Sequence, residues 1–222
     1  MLYVVATPIG NLEDITLRAL RILKEVDLVL AEDTRKSGFL LAHFSTKKPL
    51  ASFFEHSEIQ KIPWVIEELK KGKNIALISD AGTPTLSDPG YKLIRECRKE
   101  KIPVTPIPGP SSIITALSVT SIPHDKFIFL GYLPRKHNER VKLFEKVKDL
   151  SAAIVFFESP FRIVSALRDI KDVTGDKNVA IARELTKKFE EVLELPISEA
   201  IAHFEKTPPK GEFVVILDGK EL

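Results

Sequence analysis

Ile75-Ala76-Leu77-Ile78-Ser79-Asp80-Ala81-Gly82-Thr83-Pro84-Thr85-Leu86-Ser87-Asp88-Pro89-Gly90 is the stretch that decides the architecture. Four apolar residues without polar alternation run straight into a segment holding two glycines, two prolines, two aspartates and four hydroxyl side chains. A strand buried on both faces reads in this way, and such strands belong to parallel sheets covered by helices. In open α/β sheets, ligands collect beyond the carboxyl ends of the strands. The polar stretch is therefore where a site is expected, although the same composition also makes an ordinary turn.

Working outward, the same strand-then-helix alternation repeats on both sides. Strands are expected over Leu2–Thr7, Asp27–Glu32, Asn74–Ser79 and Val104–Ile107. Helices are expected over Leu17–Val26, Thr34–Phe44 and Ile62–Lys71, and from a cap at Asp88, with Pro89 at its first position, to Lys101. A small-residue helix follows Pro108-Gly109-Pro110-Ser111-Ser112, and the pattern breaks at Ser121-Ile122-Pro123-His124-Asp125. Beyond it come strand Phe127–Tyr132, helix Asn138–Leu150, strand Ala153–Phe157, helix Phe161–Val173 and strand Val179–Arg183. Two more strands, Glu190–Leu195 and Glu212–Leu217, flank a short helix at Ser198–Phe204. The fold class is two-domain α/β, with a mostly parallel sheet over residues 1–120 and a mixed sheet over 121–222.

Composition narrows the function classes. With 44% hydrophobic and 29% charged residues the chain can bury a core and remain soluble. Its formal charge is +2, from 33 basic and 31 acidic residues, so affinity for a polyanion has to come from a local patch. The single cysteine, Cys97, has no partner for a disulfide, which suits a reducing cytoplasm. No apolar run reaches the length of a membrane span, and Leu2-Tyr3-Val4-Val5-Ala6 begins a strand directly, without a basic leader. The five histidines lack ligand spacing, so no metal site is expected. Neither G-x-G-x-x-G nor G-x-x-x-x-G-K-[ST] occurs, and Ser111 lacks the glycines of a nucleophile elbow.

The candidate chemistry lies in loops that follow strands. Ala6-Thr7-Pro8-Ile9-Gly10-Asn11 closes the first, and Ala31-Glu32-Asp33-Thr34-Arg35-Lys36 concentrates charge after the second, where Asp33 or Thr34 also fits a helix cap. Pro108 to Ser112 sets small residues and hydroxyls before a helix. In the second half, Phe157-Glu158-Ser159-Pro160-Phe161-Arg162 and Arg183-Glu184-Leu185-Thr186-Lys187-Lys188 leave their strands. Glu184 and Lys187, three apart, equally fit a simple ion pair.

Those loops, with Gly211-Glu212-Phe213-Val214, occur in an order that resembles the bacterial small-subunit ribosomal RNA (cytidine-2′-O)-methyltransferases, the RNA-modifying branch of the tetrapyrrole methylase superfamily. The likeness runs from Leu2 to about Leu217. It implies a class III methyltransferase, usually a homodimer, with S-adenosylmethionine in a cleft between the two domains. It places Pro8, Asp80, Gly82, Thr83, Pro84, Ser111, Ser112 and Ile113 at the cofactor, and Phe157, Glu158 and Leu185 around the adenosine. Tetrapyrrole-modifying relatives commonly carry Asp where this chain has Thr83. The implied acceptor is the ribose 2′-hydroxyl of cytidine 1402 in 16S RNA of the small ribosomal subunit.

Methyl transfer to a hydroxyl needs alignment and a group that takes the proton or steadies the developing alkoxide. On this reading Glu184 or Asp33 accepts the proton, and Lys187 or Arg35 steadies the oxygen or a phosphate. The basic run Arg135, Lys136, Arg140 and Lys142 is the expected RNA contact. Two other readings fit the same residues: a methylase of a tetrapyrrole or other small molecule, and a non-catalytic ribosome-binding protein.

Overall fold

Continuous apolar runs place the strands of the first half in the middle of a layered structure. The computed structural model describes residues 1–219. Strands β1 (Leu2–Val5), β2 (Leu28–Ala31), β3 (Leu50–Ser52), β4 (Ile75–Ile78) and β5 (Val104–Ile107) form one parallel sheet in the order β3-β2-β4-β1-β5. Successive side chains of a strand face opposite ways. Accordingly Ile75 and Leu77 join a core with Leu2, Leu30, Phe53, Val65 and Leu93, while Ala76 and Ile78 join another with Val5, Val29, Ile22 and Leu41. Helices α1 (Leu17–Glu25), α2 (Thr34–His43), α3 (Glu55–Lys70) and α4 (Tyr91–Lys99) supply the covering side chains.

Three local differences from the sequence expectation have physical causes. Helix α3 starts at Glu55, seven residues before Ile62, and runs through Pro63. Proline removes one helical hydrogen bond and normally ends a helix at its upstream side. Here the upstream turn carries Glu58, buried and tied to the Gly90 N–H at 3.0 Å and to Lys92 at 3.2 Å, and that tie holds the turn in place. Helix α4 starts at Tyr91 with Gly90 before it, so neither Asp88 nor Pro89 begins it. Strand β3, three residues at the sheet edge, is too short to show a pattern in sequence.

The second compact unit begins at Ser112, earlier than the expected position near 120. Helix α5 (Ser112–Leu117) packs on β10 (Phe213–Leu217), and Glu194 accepts hydrogen bonds from Thr120 Oγ1 at 3.0 Å and Ser121 N at 2.9 Å, which draws residues 112–121 into this unit. The remaining elements are β6 (Phe127–Tyr132), α6 (His137–Val147), β7 (Ala153–Glu158), α7 (Ile163–Thr174), β8 (Asn178–Arg183), β9 (Glu191–Pro196) and α8 (Ile197–Lys206). The sheet is mixed, in the order β6-β7-β10-β8-β9, with β6 and β7 parallel and the other neighbours antiparallel. Phe213 pairs with Glu158 on one side and Arg183 on the other. The carboxyl ends of β7 and β8 therefore share one edge, which β6 joins through the Tyr132–Phe157 pair. No helix among the described residues is long and apolar enough to cross a membrane.

Candidate functional site

Adjacent parallel strands deliver their following loops to the same edge, and in the first unit three such loops are knitted together. Thr7 N donates to Gly82 O at 2.9 Å and Gly82 N to Thr7 O at 3.0 Å, a two-way backbone bridge between the loops after β1 and β4. Thr7 Oγ1 donates to Ser79 O at 3.2 Å. Thr83 Oγ1 donates to Pro110 O at 3.1 Å, which brings in the loop after β5. The approach is close enough that a Cβ on Gly109 would stand 3.0 Å from Ala6 Cβ. Gly90, at φ +128°, has no room for a side chain: a Cβ would lie 2.5 Å from Leu77 Cδ2 in the packed core. Thr85 (φ 77°) and Ser87 (φ 68°) also sit in the left-handed region. Non-glycine residues hold such conformations when their surroundings over-determine them, most often at functional sites.

The electrostatics of this loop cluster are acidic. Asp80 receives the Asp33 N–H at 3.0 Å on Oδ1 and Lys36 Nζ at 2.7 Å on Oδ2, so it ties the end of β4 to the start of α2. Burial raises the Glu32 carboxyl above its ordinary value, and the Asp80 charge adds to the rise. Asp88 is pushed up to about 7, first by burial and then by the Glu32 charge, against a hydrogen bond from Ser79. Two carboxyls displaced upward in one loop cluster mark a place where burial, with the neighbouring carboxylates adding to it, disfavours the ionised form.

Asp33 and Arg35 are occupied with one another. Asp33 caps α2 by accepting from Arg35 N at 2.8 Å, and its Oδ2 lies 2.7 Å from the exposed Arg35 guanidinium. Those hydrogen bonds hold the Asp33 carboxyl far below the usual range.

At the shared edge of the second unit, Glu158 is buried. Its Oε1 accepts from Ser159 N at 2.7 Å and pairs with Arg162 at 2.6 Å, while Oε2 has no hydrogen-bond partner among the described residues. Burial raises its pKa against those bonds. Phe157 lies between Phe129 and Tyr132, at ring distances of 4.9 and 5.4 Å, and Leu185 is buried. Lys187 bridges Glu184 at 2.9 Å and Glu212 at 2.8 Å. Burial works to raise the Glu184 carboxyl, but hydrogen bonds from Lys187 and the Glu212 N–H outweigh it and hold it low.

The basic run separates into two kinds of residue. Arg135, Lys136 and Lys142 are exposed. Arg140 is not a surface group: it is 5% exposed, its Nε lies 2.7 Å from Asp169 Oδ2, and it donates to the carbonyls of Pro134 at 3.3 Å and Arg135 at 2.8 Å. A face that reads as basic in sequence thus loses one charge to the interior. The charge pattern alone could not show it, since Asp169 is 29 positions away.

Pro8 lies between the bridged Thr7 and Ile9, whose Cγ2 would stand 3.3 Å from a Cβ on Gly82. Pro84 is buried behind Thr83, Ser111 and Ser112 are half-buried, and Ile113 is buried in α5. Glu58 and Asp88 are the residues of the first unit that sequence reading missed as parts of the loop cluster. Only Asp88 carried a signal, as the second aspartate of the opening stretch. A groove of about 560 Å³ lined by Ile59, Ile62, Ile66, Lys92 and Arg95 holds none of the candidate residues.

The model of the tetrapyrrole (corrin/porphyrin) methylases matches residues 1–201. The chain belongs to that family. Among tetrapyrrole methylases and their relatives, it is 52% identical over 220 residues to Ribosomal RNA small subunit methyltransferase I of Thermotoga maritima, which covers 99% of both chains. It is 45% identical to the protein of the same name from Pasteurella multocida, over 99% of this chain and 79% of that one. Two solved structures share the fold at low identity. A cobalt precorrin-4 methyltransferase, CbiF, has a TM-score of 0.70 at 15% identity, covering 98% of this chain and 94% of its own. A diphthine synthase has a TM-score of 0.73 at 16% identity, covering 100% and 90%.

Proposed function

We propose that this chain is an S-adenosylmethionine-dependent methyltransferase of small-subunit ribosomal RNA, acting on the ribose 2′-hydroxyl of cytidine 1402. The observation that carries this reading is the end-to-end likeness, 52% over 220 residues, to a named ribosomal RNA small subunit methyltransferase. The intact small subunit as the acceptor, a homodimer as the working form and the cytoplasm as its place belong to the same reading.

The residues of the first unit fit the cofactor. S-adenosylmethionine is a sulfonium that supplies an electrophilic methyl, and a loop cluster holding the raised carboxyls of Glu32 and Asp88 favours a cation. Pro8, Gly82 and Pro84, on the bridged backbone, give it a close wall, with Ser111 beside the polar end; Ser112 and Ile113, which open the second unit, suit the cofactor's polar atoms as well. Asp80 and Thr83 brace that wall through Lys36, the Asp33 N–H and the Pro110 carbonyl. In the second unit, Phe157, Leu185 and the unmatched Glu158 Oε2 suit an adenosine ring and hydroxyl.

Proton transfer does not fall to Asp33 or Glu184 on this reading, since both are held acidic by cations and backbone donors. Asp33 caps α2 and holds Arg35. Glu184 and Glu212 hold the Lys187 ammonium, which can steady an oxygen or a phosphate. Exposed Arg135, Lys136 and Lys142 face the RNA backbone.

The test is transfer of labelled methyl from S-adenosylmethionine to isolated small ribosomal subunits. The expected result is label confined to one ribose, which then resists alkaline cleavage on its 3′ side. Label on a porphyrinogen or corrinoid with none on RNA, or binding to the subunit without transfer, would overturn the reading.

A further inference from the structure

Large aromatic side chains seldom stand in open water without a purpose when several share one edge with cations. In the second unit, Phe161 is 96% exposed and Phe189 is 67% exposed. They lie 28 positions apart in sequence, yet each follows a strand that ends beside Phe213: Phe161 three residues after Glu158, Phe189 six after Arg183. The loop entering β10 and the loop after β6 reach the same edge. Arg135, Lys188 and Lys210 there are exposed and make no ion pair among the described residues, and Lys188 Nζ sits 5.6 Å from the centroid of the Phe189 ring. Lys136 pairs with exposed Glu139, at 3.3 Å. The acids of this edge are already engaged: Glu158 with Arg162, Glu184 and Glu212 with Lys187, and Glu190 with the Thr186 N–H.

We infer that Phe161 and Phe189 form a stacking platform for unpaired RNA bases next to the methylated nucleotide, with Arg135, Lys188 and Lys210 holding the backbone phosphates. The inference rests on the RNA-methyltransferase reading above and names how that substrate is held. Every base presents a π-face, so rings of this kind grip single strands, and cations on the same edge meet backbone phosphates without reading sequence. The loops themselves are firmly seated. Arg162 donates to Leu133 O at 3.1 Å from the root of the Phe161 loop, and Lys187 ties Glu184 to Glu212 at the root of the Phe189 loop. A rigid base with a free ring suits stacking.

The experiment compares wild type, Phe161→Ala, Phe189→Ala, Phe161→Trp and Phe189→Trp in methyl transfer to isolated small subunits, with S-adenosylmethionine affinity measured separately by calorimetry. Both positions are solvent-exposed, so truncation leaves the fold intact, and unchanged thermal unfolding checks this. Each alanine variant should raise KM for the subunit about tenfold at unchanged cofactor affinity, and tryptophan should restore it. Lys188→Ala should lower the slope of log affinity against log salt by about one. Unchanged KM in both alanine variants overturns the platform. So does a shift from dimer to monomer in sedimentation, which would make the rings subunit contacts. If wild type transfers no methyl to RNA, the underlying reading fails instead, and the two failures are told apart by that control.

Discussion

Asp88 shows how a single carboxyl can report the state of the whole loop cluster. Its pKa of about 7 in the folded chain stands above the ordinary value of 3.8. Between those values the folded chain binds more protons than the unfolded one, so stability falls as pH rises through that window. Asp88→Asn removes this slope, and the variant should unfold at a higher temperature than wild type at pH 8 while matching it near pH 4. A bound cation reverses the logic by favouring ionised Asp88. S-adenosylmethionine affinity in wild type should therefore strengthen between pH 6 and pH 8, and titration calorimetry should find the trend flattened in Asp88→Asn. An equal pH trend in both proteins would remove Asp88 from the cofactor's surroundings.

At the scale of elements, two long-range ties decide where candidate residues point. Buried Asp169 on α7 holds Arg140 on α6, and Arg140 and Arg162 together fasten the carbonyls of Leu133, Pro134 and Arg135. Removing one partner of a buried pair leaves the other charge uncompensated. Arg140→Ala should cost about 3–5 kcal/mol in denaturant unfolding, whereas Lys142→Ala on the exposed face of α6 should stay within about 0.5 kcal/mol. In the first unit, the polar loop after β4 can enter α4 only through Gly90. Gly90→Ala forces a methyl against Leu77 and should destabilise by more than about 2 kcal/mol, read as a lower unfolding midpoint.

For the molecule as a whole, a net charge of +2 leaves little general attraction for RNA, so the proposed binding rests on the edge that carries Arg135, Lys136, Lys188 and Lys210. Raising salt from 50 to 200 mM should weaken subunit binding steeply and leave S-adenosylmethionine affinity nearly unchanged.

The sheet classes were legible because apolar runs of four to six residues, punctuated by Gly, Pro and Asp, leave few alternatives. The bridged loops of the first unit were legible for the same reason, since Thr7, Asp80 and Pro108 follow such runs closely. What stayed hidden depended on register and on distance. Phe161 and Phe189 come to one edge only through Phe213. Glu58 reaches Gly90 across 32 positions, and Arg140 turns inward because of a residue one helix later.

The bridge between Thr7 and Gly82 is made of main-chain atoms on both sides, as is half of the Thr83–Pro110 tie. A frame hydrogen-bonded through its backbone asks little of side chains beyond glycine where space is short. Substitutions can then accumulate around it without moving the peptide groups that set its shape. That gives a physical reason why a corrin-precursor methyltransferase and a diphthine synthase keep this architecture at 15% and 16% identity. A frame of that kind keeps its shape while the side chains around it are exchanged.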